Sequence, residues 1–156
     1  MDSYSFTLKL NAGPSTVYAA LATHAGLTGW WTEDCEIDPT PGGLATFRFG
    51  KTHKTFRIES LTPDREVVWV CTEQYHHLPG LLKKTDEWVG TSIKFSLAPD
   101  GDNGTELTFR HDGLIPGLEC YGICVAGWDH FLGNSLKHYV ETGKGDPFNS
   151  RYPYSD

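Results

Sequence analysis

No basic run longer than Lys83-Lys84 occurs in this chain, whose thirteen Lys and Arg stand against twenty Asp and Glu for a formal net charge of −7. Electrostatic recognition of nucleic acid or of an anionic membrane surface needs the opposite balance, so neither is an expected partner. No apolar stretch approaches the roughly 20 residues that cross a bilayer. The opening Met1-Asp2-Ser3-Tyr4-Ser5-Phe6 lacks a basic segment leading into an apolar one, which argues against a secretory signal and makes the cytoplasm the expected location.

Metal and cofactor motifs are also scarce. Cys35, Cys71, Cys120 and Cys124 are scattered, without a close CxxC pair of the zinc-ribbon kind, and are expected as reduced thiols. Cys120 and Cys124 fall one helical turn apart, which leaves a metal or redox pair open. A direct bond between them is disfavoured, because Cβ atoms at that spacing sit about 5–6 Å apart and a disulfide needs about 3.8 Å. The adjacent His76-His77 reads more readily as a solvated loop pair than as metal ligands. No HExxH helix, phosphate-binding glycine loop or dinucleotide fingerprint occurs. Gly133-Asn134-Ser135 lies inside a helical pattern rather than at a strand-to-helix elbow, which argues against a serine hydrolase. The expectation is therefore no metal and no cofactor.

What the chain does have is rings. Aromatic residues make up 13 % and hydrophobic residues 38 % of 156 residues, enough for one aromatic-rich core, and a single domain over 1–156 is expected. Tyr4, Phe6, Leu8 and Leu10 alternate with polar residues as a first strand. Asn11-Ala12-Gly13-Pro14-Ser15 breaks it, and Pro14 suits the first turn of a short helix, with a second short helix over His24 to Trp31. Alternation resumes at Ala45, Phe47 and Phe49, then at Phe56 and Ile58, while Val67, Trp69 and Cys71 form an inward set on an almost continuously hydrophobic strand. Trp88 to Leu97 and Thr105 to Asp112 read as a hairpin across a polar, glycine-rich turn. Between these groups Gln74 to Glu87 shows no period and carries a central Pro79-Gly80 break, a long connection that predicts a lid.

Near the chain end Tyr121, Val125, Trp128, Leu132, Leu136 and Tyr139 recur at three- and four-residue spacing, predicting one amphipathic helix over roughly 116–142. Its apolar face needs a large partner, which the strands supply. The expected fold class is α+β: a curved antiparallel sheet wrapped around a long C-terminal helix, with two short helices after the first strand.

That order resembles the helix-grip fold of the SRPBCC, or START-like, superfamily, and within it the branch homologous to the activator of heat-shock protein 90 ATPase. The residues that carry the resemblance are Pro14-Ser15-Thr16-Val17-Tyr18-Ala19-Ala20-Leu21 with Trp30-Trp31, and Gly42-Gly43 before a strand. Gly104-Thr105-Glu106-Leu107-Thr108-Phe109 leading to His111, and Gly127-Trp128 followed by Leu132 and Leu136, complete it. The resemblance implies a cavity between sheet and last helix that holds a hydrophobic molecule, and it does not imply one reaction. Three functions follow as expectations: binding of a hydrophobic, ring-containing small molecule; a polyketide cyclase or aromatase-type enzyme using the same cavity; and a co-chaperone-like module acting on heat-shock protein 90. A second copy of the chain is also kept open as a partner.

Candidate ligand-binding residues are Trp31, Phe47, Phe56, Trp69, Phe95, Phe109, His111, Tyr121 and Trp128, because large rings with a polar handle suit a flat ligand. Phe49 belongs to the same inward aromatic set. His111 shares strand parity with Leu107 and Phe109 and is the catalytic candidate, since an imidazole titrates near neutrality. Glu73, in parity with Trp69 and Cys71, is its candidate acid–base partner.

Overall fold

In the computed structural model, which describes residues 2–149, the period-two patterns become β1 (Ser3–Leu10), β2 (Asp34–Ile37), β3 (Leu44–Phe49), β4 (Thr52–Thr62), β5 (Glu66–Tyr75), β6 (Ser92–Asp100) and β7 (Gly104–Asp112). All pair antiparallel in one sheet of order β1-β7-β6-β5-β4-β3-β2. The inward set on β5, Val67, Trp69 and Cys71, is buried together with Phe56 and Ile58 of β4, Ile93 and Phe95 of β6, and Leu107 and Phe109 of β7. Helices α1 (Pro14–Ala22) and α2 (His24–Trp30) follow the first strand. Pro14 starts α1, and the Thr23 hydroxyl caps α2 by accepting from the Gly26 amide at 3.0 Å. The expected domain over 1–156 includes Met1 and residues 150–156, which lie outside the described residues.

The last helix begins later than its hydrophobic pattern predicts. Residues 116–120 are turns, and α3 (Tyr121–His130) runs through a π-helical stretch, Phe131–Leu136, into α4 (Lys137–Thr142). Buried positions along it step by four: Cys124, Trp128, Leu132, Leu136 and Val140. In a pure α-helix each four-residue step drifts about 40° from the axis line, and a wider π turn removes that drift, which keeps one stripe on the sheet. Tyr139 is consequently only half-buried, lying beside Gly29, where any side chain would run into its ring.

Three further differences from the sequence pattern have local causes. The four-residue β2 is too short for alternation to reveal it. Trp88 does not open β6, since Trp88–Gly90 form a turn in which the Thr91 amide bonds the Trp88 carbonyl at 2.8 Å and Gly90 takes a φ of 87°. The connection between β5 and β6 therefore spans 76–91. Finally, the β4–β5 register jumps so that Thr55 faces Glu73 while Phe56 faces Cys71. Thr72 is the extra residue of this bulge, and strand parity reverses after it: Gln74 turns inward and Glu73 is exposed. The expected pairing of Glu73 with His111 does not form. No helix among the described residues is long and apolar enough to cross a membrane.

Candidate functional site

A cavity of about 470 Å³ opens between the edge half of the sheet, the β5–β6 connection and the last helix. The sheet contributes Phe49, Thr52 and Lys54; the connection contributes His76, His77, Leu78, Leu81 and Trp88; the helix contributes Ile123, Cys124, Ala126, Gly127, Trp128 and Phe131. Trp31, at the end of α2, and Phe148 close the wall. Small residues at 126 and 127 leave room on the helix side, and a Cβ built on Gly127 would meet nothing within 4 Å.

Of the candidate ligand-binding residues, Trp31 and Trp128 border this space. Phe47, Phe56, Trp69, Phe95 and Phe109 are buried in the sheet layer and are not among its walls. Tyr121 is half-buried at the start of α3 with its ring edge-on to Tyr4. The buried rings nonetheless form one continuous body with the walls: Trp128 stacks between Trp88 and Trp31, at 5.7 and 5.5 Å between centroids, and Trp31 stacks in turn on Trp69 at 5.9 Å. Such contacts add about 0.5–1.5 kcal/mol each beyond burial and hold large flat faces at the cavity.

His111 sits behind this wall, fully buried, with Trp88 and Trp128 both edge-on to its ring. The Trp128 indole N–H donates to Nδ1 at 3.1 Å. The Thr91 hydroxyl donates to the Trp88 carbonyl at 2.6 Å, so its oxygen is free to accept from Nε2–H of His111 at 2.9 Å. The network assigns the neutral Nε2–H tautomer and leaves neither ring nitrogen open. Burial, reinforced by the Lys54 charge, depresses the imidazole pKa to about 3.

Lys54 also lines the cavity and is not among the residues expected there. Its parity with Phe56 and Ile58 was the available signal, because residues two apart on a strand share a face. The side chain is buried at the cavity wall, with Nζ 3.9 Å from the Trp88 ring centroid and 4.9 Å from that of Phe49. No carboxylate or hydrogen-bond acceptor engages Nζ among the described residues. Burial lowers its pKa, with partial compensation from Cys124 and Cys71. When protonated, the amine on these ring faces is a cation–π arrangement with a desolvated charge and no carboxylate partner among the described residues.

The family model for activator of Hsp90 ATPase homolog 1-like proteins matches residues 11–141. The chain belongs to this family. In the solution structure of the Aha1 dimer from Colwellia psychrerythraea, the relative is 30 % identical and superposes with a TM-score of 0.74 over 93 % of this chain and 100 % of that one. A Chromobacterium violaceum protein at 20 % identity, TM-score 0.68, covers 90 % of this chain and 99 % of its own. A Mesorhizobium loti protein at 17 % identity, TM-score 0.68, covers 85 % and 92 %. These last two show the shared fold. No curated protein matches the chain.

In this member of the Hsp90-activator-homologue family, the lid-like connection is cross-braced to the segment before the last helix. Glu119 accepts from the Lys83 and Lys84 amides at 2.7 and 2.8 Å, and Glu87 accepts from the Glu119 and Cys120 amides at 3.0 and 2.9 Å. This bracing brings His76 beside Cys120 and Cys124, whose donor atoms all lie within 4.8 Å of one another. The two thiols share a hydrogen bond, which holds Cys124 below the ordinary thiol range and Cys120 above it. Lys54 and the Trp88 indole N–H, 3.2 Å from Cys124 Sγ, favour the same division. His77 is occupied separately, by the Tyr75 hydroxyl at 2.9 Å.

Proposed function

We propose that this chain binds a hydrophobic, ring-containing small molecule that carries an anionic or strongly accepting group, in the cavity beneath the β5–β6 connection. The observation that carries the reading is Lys54: a buried amine with no carboxylate partner among the described residues, set in a wall of stacked tryptophans. Apolar burial supplies the affinity at roughly 25 cal/mol per Å², and an anion placed against Nζ supplies the orientation and recovers the cost of the buried charge. His111 serves this site as a positioning residue, holding Trp128 and, through Thr91, the Trp88 carbonyl.

The test compares two fluorescent probes of similar size, anilinonaphthalene sulfonate and uncharged phenylnaphthylamine. Wild-type protein should bind the sulfonate more tightly, and Lys54→Met should erase that preference while the uncharged probe is little affected. Equal affinities in wild type, or a preference that survives Lys54→Met, would overturn the reading. The melting temperature of Lys54→Met should not fall, since the variant removes a buried charge, and this controls for folding. Native mass spectrometry of gently purified protein then identifies any natural ligand.

We also propose self-association, supported by the 30 % identical Colwellia protein, which is described as a dimer. Light scattering on the eluting protein should give twice the chain mass, and a single-chain mass across micromolar concentrations would refute it.

A further inference from the structure

We propose that His76, Cys120 and Cys124 form a zinc(II) site that pins the β5–β6 connection to the start of the last helix. The three donors come from two elements far apart in sequence and meet with their ligand atoms within 4.8 Å of one another. Metal–sulfur bonds of about 2.3 Å and a metal–nitrogen bond of about 2.0–2.1 Å place tetrahedral ligands about 3.5–3.8 Å apart. The existing cluster thus needs its widest pair to close by at most about 1.3 Å, within the reach of side-chain rotation. Two thiolates and one imidazole are a zinc donor set, and two thiolate charges balance the ion.

The surroundings supply the outer partners such a site needs. The Trp88 indole N–H donates to Cys124 Sγ at 3.2 Å, and the Glu87 carboxylate accepts from the Cys120 amide at 2.9 Å, fixing the backbone from which one ligand projects. His76 is held by its own amide, which bonds the Thr85 carbonyl at 2.7 Å. Cys120 precedes the first turn of α3 and Cys124 lies one turn on, so the two sulfurs converge without requiring the strained disulfide that helix geometry resists. His76 and Cys124 also border the cavity. The fourth coordination position is therefore assigned to water or to a ligand group entering from that side. This site goes beyond the aromatic-ligand reading and does not depend on it, because its donors remain in place whether or not the probes bind.

Cobalt(II) is the direct probe, since a thiolate-bound ion shows sulfur-to-metal charge transfer in the near ultraviolet and intense ligand-field bands in the visible. Full-length protein, stripped with chelator under reducing conditions, should take up one equivalent of cobalt with both features, and zinc should displace it. Cys120→Ser and Cys124→Ser should each reduce the charge-transfer intensity by about half, in proportion to the thiolates lost. His76→Ala should weaken binding by at least about tenfold, the size of effect that even an outer partner can have, and His77→Ala should not. Zinc should also raise the melting temperature of wild type and not of His76→Ala. Absence of charge transfer in the wild type, or a titration unchanged by His76→Ala, would overturn the proposal. The wild-type titration does not require any variant to fold.

Discussion

Trp128 donates its indole N–H to Nδ1 of His111 at 3.1 Å, so the ring that forms the helix-side wall of the cavity is aimed by a histidine on the sheet beneath it. His111→Ala should destabilise the protein by about 2–5 kcal/mol, because it opens a gap and strands two buried partners, Trp128 and Thr91. Trp128→Phe keeps most of the volume and should cost about 1–3 kcal/mol. Trp128→Ala should cost about 3–5 kcal/mol. Urea titrations rank the three, and a cost below about 1 kcal/mol for His111→Ala would show that the network holds nothing in place.

The same histidine predicts an acid limb in stability. Its folded pKa of about 3 lies below the unfolded value near 6.5. Below about pH 6.5 the unfolded chain binds a proton that the folded one refuses, and stability falls as pH falls, levelling only near pH 3. By pH 4 the loss from this group is about 3 kcal/mol. His111→Asn should flatten that part of a stability–pH curve, and a wild-type curve level from pH 7 to pH 4 would contradict it.

Gly127 offers a way to close the cavity without unfolding the chain. A side chain there meets open space, and replacing a mid-helix glycine gains about 0.5–1 kcal/mol of helix propensity. Gly127→Leu should therefore melt no lower than wild type while weakening both fluorescent probes by more than about tenfold, or about 1.4 kcal/mol. Undiminished probe binding would place the binding site elsewhere.

The Glu119 carboxylate ties the connection to the helix by accepting from the Lys83 and Lys84 amides. Glu119→Ala should speed hydrogen exchange at those two amides while leaving the global melting temperature nearly unchanged, as expected of a locally opening segment. Unchanged exchange there would mean the brace carries no load.

Much of the architecture follows from the chain read one residue at a time. Period-two alternation over Tyr4–Leu10, Ala45–Phe49, Val67–Cys71 and Leu107–Phe109 sets which side chains face inward, because backbone pleating admits no other arrangement once one face is buried. Recurrence around Trp128, Leu132 and Leu136 announces the gripping helix, and Pro79-Gly80 announces a connection without regular structure. What the linear pattern could not carry was every event that changes phase. The bulge at Thr72 turned Glu73 out and Gln74 in, and the π stretch replaced Tyr139 by Val140 in the buried stripe.

The candidate site divides along the same boundary. Burial of the rings was determined by sequence, since rings on an inward face must leave water somewhere. Which of them touch a cavity was decided only by packing between elements: Trp31 and Trp128 border it, Trp88 and Lys54 join them, and Phe47, Phe95 and Phe109 lie behind. The meeting of His76 with Cys120 and Cys124 is likewise a product of the Glu87 and Glu119 braces, contacts across more than thirty residues. Local propensity records the direction in which each side chain leaves its own backbone, whereas a site requires several such directions to converge on one point, and tertiary packing alone determines that.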